Sequence, residues 1–222
     1  MIPIRDQDRV KGFPAMTYGL IALSFFAFFN ETGQRVRALA LTPYFISHHI
    51  QPPPPAPAPD ALTLVTSMFL HNDWLHIGGN MLFLLIFGPD VEYLTGPFRF
   101  LGFYLACGVA AGLVQVAAFP NSHIPAIGAS AAIAGVLGAY IAYFGRNRIE
   151  TILPIGCFPL FLQLPAMVVI GFWFVEQVWY VQFEHASQGG VAYLEHISGF
   201  LVGLLLIALF RVRLPPRRAD YR

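Results

Sequence analysis

The chain alternates long apolar blocks with short polar breaks. Six runs, at about 14 to 29, 77 to 94, 100 to 118, 127 to 144, 160 to 181 and 193 to 211, are apolar all round a helix instead of along one stripe. A spanning helix needs about 20 apolar residues, so the pattern predicts an all-α polytopic membrane protein, a bundle of six transmembrane helices. Such a bundle leaves no room for a soluble domain. Residues 1–222 therefore read as one membrane domain, with a short segment at 1–13, a Pro-rich outer loop at about 30–75 and a basic tail at 212–222. The first run continues through Phe28, Phe29 and Asn30 with no small-residue cleavage pattern, so it is expected to be retained and not removed as a signal peptide.

Composition agrees: 56% of residues are hydrophobic, 11% are charged, and the mean hydropathy is +0.61. The charges add orientation. Arg5, Arg9 and Lys11 precede the first run, Arg99 follows the second, and Arg146 and Arg148 follow the fourth. Arg211, Arg213, Arg217, Arg218 and Arg222 end the chain, which leaves Arg35 and Arg37 for the other side. The positive-inside rule then makes both termini cytoplasmic, in a plasma (inner) membrane, and brings the second, fourth and sixth spans in from the outer face. A net charge of +1 offers no surface for nucleic acid. The run from Gln51 to Pro59 predicts a stiff polyproline strap, and Cys107 and Cys157 lie too far apart in depth for a disulfide.

Polar groups inside spans are costly and mark candidate chemistry. Ser130 and His196 each lie three to five residues past the outer entry of their span, roughly 5–8 Å deep at 1.5 Å per residue, and form a candidate nucleophile and base. Small residues share their faces: Ser130, Ala134 and Gly138 on the fourth span, and His196, Gly199 and Gly203 on the sixth. Gly128, Gly199 and Gly203 are the expected helix-packing positions at the site. On the second span His76 and Asn80, four apart, share a face at the same level. With the backbone N–H of Ser130 they are candidate oxyanion donors. No cofactor or metal is called for.

The stretches Phe69 to Leu84 (FLHNDWLHIGGNMLFL), Gly128 to Gly135 (GASAAIAG) and His196 to Phe200 (HISGF) resemble the rhomboid family of intramembrane serine proteases over about 60 to 210. The resemblance implies a Ser130–His196 dyad, an oxyanion site at His76 and Asn80, and cleavage of transmembrane protein substrates near their outer ends. Its partners would be those substrates and membrane lipids. Ala131 stands where the family has Gly after the nucleophile. Glu195 stands where a small apolar residue is usual; rotated about 100° from His196 along the helix, it is expected at the solvated outer rim or paired with the 182–192 loop. The first loop lacks the Trp-Arg pair of some members, so its embrace of the bundle is expected to be built differently.

Two rival functions follow from the same residues. One is a catalytically weak or inactive rhomboid-like protein, a binding or assembly subunit of a larger membrane complex. The other is a metal site at His71, Asp73 and His76, for which no His-Glu-x-x-His motif is present. Glu176, on the fifth span, is expected to be a hydrogen-bonded structural carboxylate or part of a lateral gate, with the aromatics at 172, 173, 174, 179 and 180 facing lipid. Glu92 is expected to pair with Arg99 or cap a loop.

Overall fold

The computed structural model describes residues 1–52, 59–155, 158–183 and 192–213. In chain order the elements are β1 (Ile2–Asp6), α1 (Ala15–Phe29), α2 (Gly33–Leu39), α3 (Pro43–Ser47), α4 (Thr63–Thr66), α5 (Trp74–Thr95), α6 (Pro97–Ala118), α7 (Ser130–Phe144), β2 (Arg148–Ile155), β3 (Phe158–Pro165), α8 (Ala166–Tyr180) and α9 (Tyr193–Phe210). All six predicted runs contain a helix, and the fold is the expected helical membrane bundle. Four stretches are long and apolar enough to cross a membrane: α5, α6, α9 and Ala166–Phe183. α1 and α7 are shorter, at 15 residues each.

α7 is the central helix, with every residue from Ala131 to Tyr140 buried. Fifteen residues rise only about 22 Å, less than the roughly 30 Å of a hydrocarbon layer, so an end of α7 is recessed inside the bundle. α9 lies against it backbone to backbone: a methyl added at Gly199, Gly203 or Gly138 would overlap the carbonyl oxygens of Ala131, Gly135 and Phe200 respectively. Gly199 and Gly203 thus pack as expected.

The fifth run departs from expectation. It was predicted to be helical from 160, yet residues 148–165 form the hairpin β2–β3 and the helix starts at Ala166. Pro154, Pro159 and Pro165 are poor residues for a helix interior, and a short apolar run is ambiguous between strand and helix. β1 pairs with β2 antiparallel, giving the order β1-β2-β3.

Carboxylates on α5 tie the N-terminal segment to the bundle. Glu92 does not pair with Arg99 in this arrangement. It caps α1, accepting hydrogen bonds from the backbone N–H groups of Met16 (3.0 Å) and Thr17 (2.8 Å) and from the Thr17 hydroxyl (2.7 Å). Asp90 accepts from Val10 N–H at 2.9 Å. Beside it the hydroxyl of Tyr140 donates to Asp6, and the Asn147 amide reaches Asp6 (3.2 Å), the Asp8 carbonyl (3.2 Å) and Tyr140 (3.1 Å).

The first loop embraces the bundle through α2, α3 and α4. Leu41 and Leu64 pack on Val116 of α6, where Gly112 leaves a notch that a methyl would close. Thr32 caps α2, and Leu41 bridges to Ala126. Most of the predicted polyproline strap, the tip bearing Cys157, most of the 182–192 loop and the tail beyond 213 lie outside the described residues. Cys107 is buried as a free thiol.

Candidate active site

Three helix starts converge at the pole opposite β1. α5 begins at Trp74, capped by Asp73, whose carboxylate accepts from the N–H groups of Leu75 (2.8 Å) and His76 (2.9 Å). Asp73, part of the considered metal set, thus has a capping task. α7 begins at Ser130, and α9 begins at Tyr193 with His196 in its first turn. The three starts border a cavity of about 1010 Å³ lined by His76, Asn80, Ser130, Trp173, Glu195 and His196, among others.

His196 Nε2 lies 2.8 Å from the Ser130 hydroxyl. Its Nδ1 lies 2.7 Å from Oε1 of Gln177 on α8. The Gln177 amide is itself oriented, since its Nε2 donates to the Trp173 carbonyl at 3.2 Å and so turns Oε1 toward the imidazole. An acceptor at Nδ1 fixes the proton there, which leaves Nε2 bare to accept from the Ser130 hydroxyl. Trp173 and Tyr193 flank the ring, at 5.9 and 6.4 Å between centroids. Ser130 is half-buried and His196 is 9% exposed.

Gly128 joins this pair to α5. With φ at +123° it is suited to a backbone that L side chains rarely adopt, and a methyl there would lie 2.7 Å from His76 Nε2 and 3.6 Å from Asn80 Nδ2. Gly128 therefore precedes α7 in a turn against α5 and does not pack within a helix, as the small-residue pattern had suggested. The Asn72 N–H reaches His76 Nδ1 at 3.5 Å, which leaves Nε2–H as the donor on the Gly128 side. The Asn80 Nδ2 is buried without a hydrogen-bond partner. A buried unspent donor costs about 1–3 kcal/mol.

Other expectations are revised. Glu195 is 9% exposed in the cavity wall and not at a solvated rim, and most of the 182–192 loop with which it was expected to pair lies outside the described residues. Ala131 is 4% exposed and is not among the residues lining the cavity. Trp173 and Phe174 turn inward onto Phe200, while Phe172, Trp179 and Tyr180 are exposed as expected. Glu176 is half-buried, and its neighbour Gln177 is the residue that reaches the site. Gln177 was missed, although a second polar residue within Trp173 to Trp179 was a readable signal. His71 is 1% exposed, with its ring 5.0 Å from that of His76 and neither ring nitrogen hydrogen-bonded. Burial first, and the neighbouring His76 second, push its pKa down to about 4.

The family model for the rhomboid domain matches residues 58–213. The chain is 29% identical over 159 residues to Rhomboid-like protein 11, chloroplastic, of Arabidopsis thaliana, covering 65% of this chain and 51% of that protein. It is 40% identical over 85 residues to Rhomboid protease GluP of Bacillus subtilis, covering 38% of this chain and 16% of that protein. It is 35% identical over 85 residues to Inactive rhomboid protein 1 of Drosophila melanogaster, covering 38% of this chain and 6% of that protein. The matches span about half or less of these relatives. With the family match covering most of the chain and the helical membrane fold in place, the chain belongs to the rhomboid family.

Proposed function

We propose that residues 1–222 form a single membrane unit acting as an intramembrane serine endopeptidase, with Ser130 as nucleophile and His196 as general base. The observation that carries the reading is the chain of hydrogen bonds from Gln177 through His196 to Ser130. His196 takes the Ser130 proton as Oγ attacks a peptide carbonyl of a transmembrane substrate. The oxyanion is held by Asn80 Nδ2, His76 Nε2–H and the Ser130 backbone N–H at the start of α7. His196 then protonates the leaving amine, and water from the cavity hydrolyses the ester. Substrates should unwind near the cut, because a continuous helix keeps its carbonyls hydrogen-bonded. The excess of basic residues beside both termini supports a cytoplasmic position for each, in a plasma (inner) membrane, with the cavity then opening outward.

A second reading is favoured by one observation, the match to a relative named inactive. In it the chain is a binding or assembly subunit of a larger membrane complex. A fluorophosphonate probe separates the two in proteoliposomes. The protease reading expects labelling of the native chain that disappears in Ser130→Ala, with cleavage of a transmembrane substrate lost in parallel. Absent labelling, or labelling that survives Ser130→Ala, overturns it.

A further inference from the structure

We propose that the β2–β3 hairpin is a lipid-inserting element, seated in the acyl-chain and glycerol region of the leaflet on the side of β1. An antiparallel sheet in contact with water keeps one polar face. The inner end of this sheet does, with Arg5, Glu150 and Gln163 in register, but beyond Thr151 and Leu162 the described residues of the hairpin have no polar side chain on either face. Phe158 is 81% exposed and Phe161, on the opposite face, is 60% exposed. On β2 Ile152, Leu153 and Pro154 continue the apolar surface, and charge is confined to Arg148 and Glu150 near the bundle.

The free edge of β3 argues against a further strand as occupant. Pro154 and Pro159 face each other, and neither has an N–H, so theirs is a non-hydrogen-bonded pair. By alternation Phe158, Leu160, Leu162 and Leu164 bond to β2, and Pro159, Phe161, Gln163 and Pro165 turn outward. Two of those four outward positions have no donor to offer. A blunted edge is a poor template for another chain but needs few acceptors from the ester carbonyls and water of a membrane interface.

Lipid is the occupant because the surface is continuous with one already in lipid. β3 runs directly into α8, whose exposed face carries Met167, Val168, Phe172, Val175 and Trp179. At the inner end of the sheet Arg5 and Arg148 are ion-paired with Glu150 (3.1 Å) and Asp8 (3.2 Å), so charge there stays at the level of the headgroups while the rest of the hairpin is apolar.

The test uses the native chain in phosphatidylcholine–phosphatidylglycerol vesicles containing a phospholipid with a diazirine on its acyl chain, followed by photolysis and peptide mapping. Adducts on Phe158 to Leu162 at a density within about threefold of those on Val175 and Trp179 support the proposal. Adducts on α8 with none on β3, together with hydroxyl-radical oxidation of Phe158 and Phe161 from the water phase, overturn it. In a second measurement, Phe161→Cys in a Cys157→Ser background carries an environment-sensitive fluorophore. Blue-shifted emission quenched by shallow doxyl lipid, and not by iodide, supports lipid seating. Iodide quenching, or transfer between labelled copies without lipid quenching, overturns it and points to water or to a second copy. Neither readout depends on catalysis.

Discussion

Two clusters of buried polar side chains, one at each pole of the bundle, are satisfied in opposite ways. At the β1 pole Asp6, Asp90, Tyr140 and Asn147 are all 6% exposed or less, and they satisfy one another and the backbone of the N-terminal segment. At the dyad pole Asn80 Nδ2 and both ring nitrogens of His71 are buried without partners beside a large cavity. Satisfied networks hold structure. An unspent donor costs stability, and under the proposed function Asn80 Nδ2 would recover that cost by holding a transient charge, which would divide stability from chemistry between the two clusters.

Substitutions at four positions test that division. Asn80→Ala should lower turnover by about 10²- to 10³-fold, as loss of one oxyanion donor does, with the melting temperature unchanged or raised. A large loss of stability with little loss of rate would break the contrast. Glu92→Ala should do the reverse. Three donors at the start of α1 lose their acceptor, for about 2–4 kcal/mol in denaturant unfolding, while activity per folded molecule is kept.

Gln177→Leu sharpens the comparison within the Ser130–His196 cluster. Loss of the Nδ1 acceptor should lower kcat about tenfold with KM unchanged, and Gln177→Glu, which keeps an acceptor oxygen, should restore most of it. A change confined to KM would assign Gln177 to substrate contact instead.

The smallest effect is expected at His71. Its folded pKa of about 4 lies below the ordinary 6.5, so the unfolded chain binds the extra proton first. Its contribution is complete above about pH 6.5 and is lost as pH falls toward 4. Glu31, raised by burial and accepting from the His71 N–H, acts with the opposite sign near the ordinary carboxylate range. His71→Leu should leave melting near pH 7.5 almost unchanged and flatten the acid limb between pH 6.5 and 4. An unaltered limb would mean that His71 takes up its proton without cost.

The dyad was legible because Ser130 and His196 are polar residues at matching depths in apolar runs, and the glycines below them had the spacing of a close helix contact. Gln177 was legible only in part: it is a second polar residue in an apolar run, but nothing local shows that it, and not Glu176 beside it, turns toward His196. The hairpin was unreadable by hydropathy alone. Its residues are as lipid-like as a helix, and the signal lay in three prolines. β1 had no local signature to betray a partner some 145 positions away, and Glu92 offered no hint that it caps α1.

That long-range pairing bears on how the chain is made. Ile2–Asp6 precedes its partner Arg148–Ile155 in the chain by four long helices, α1, α5, α6 and α7. The first strand must therefore wait, unpaired, while four helices insert, and closing the sheet is a late, high-contact-order step.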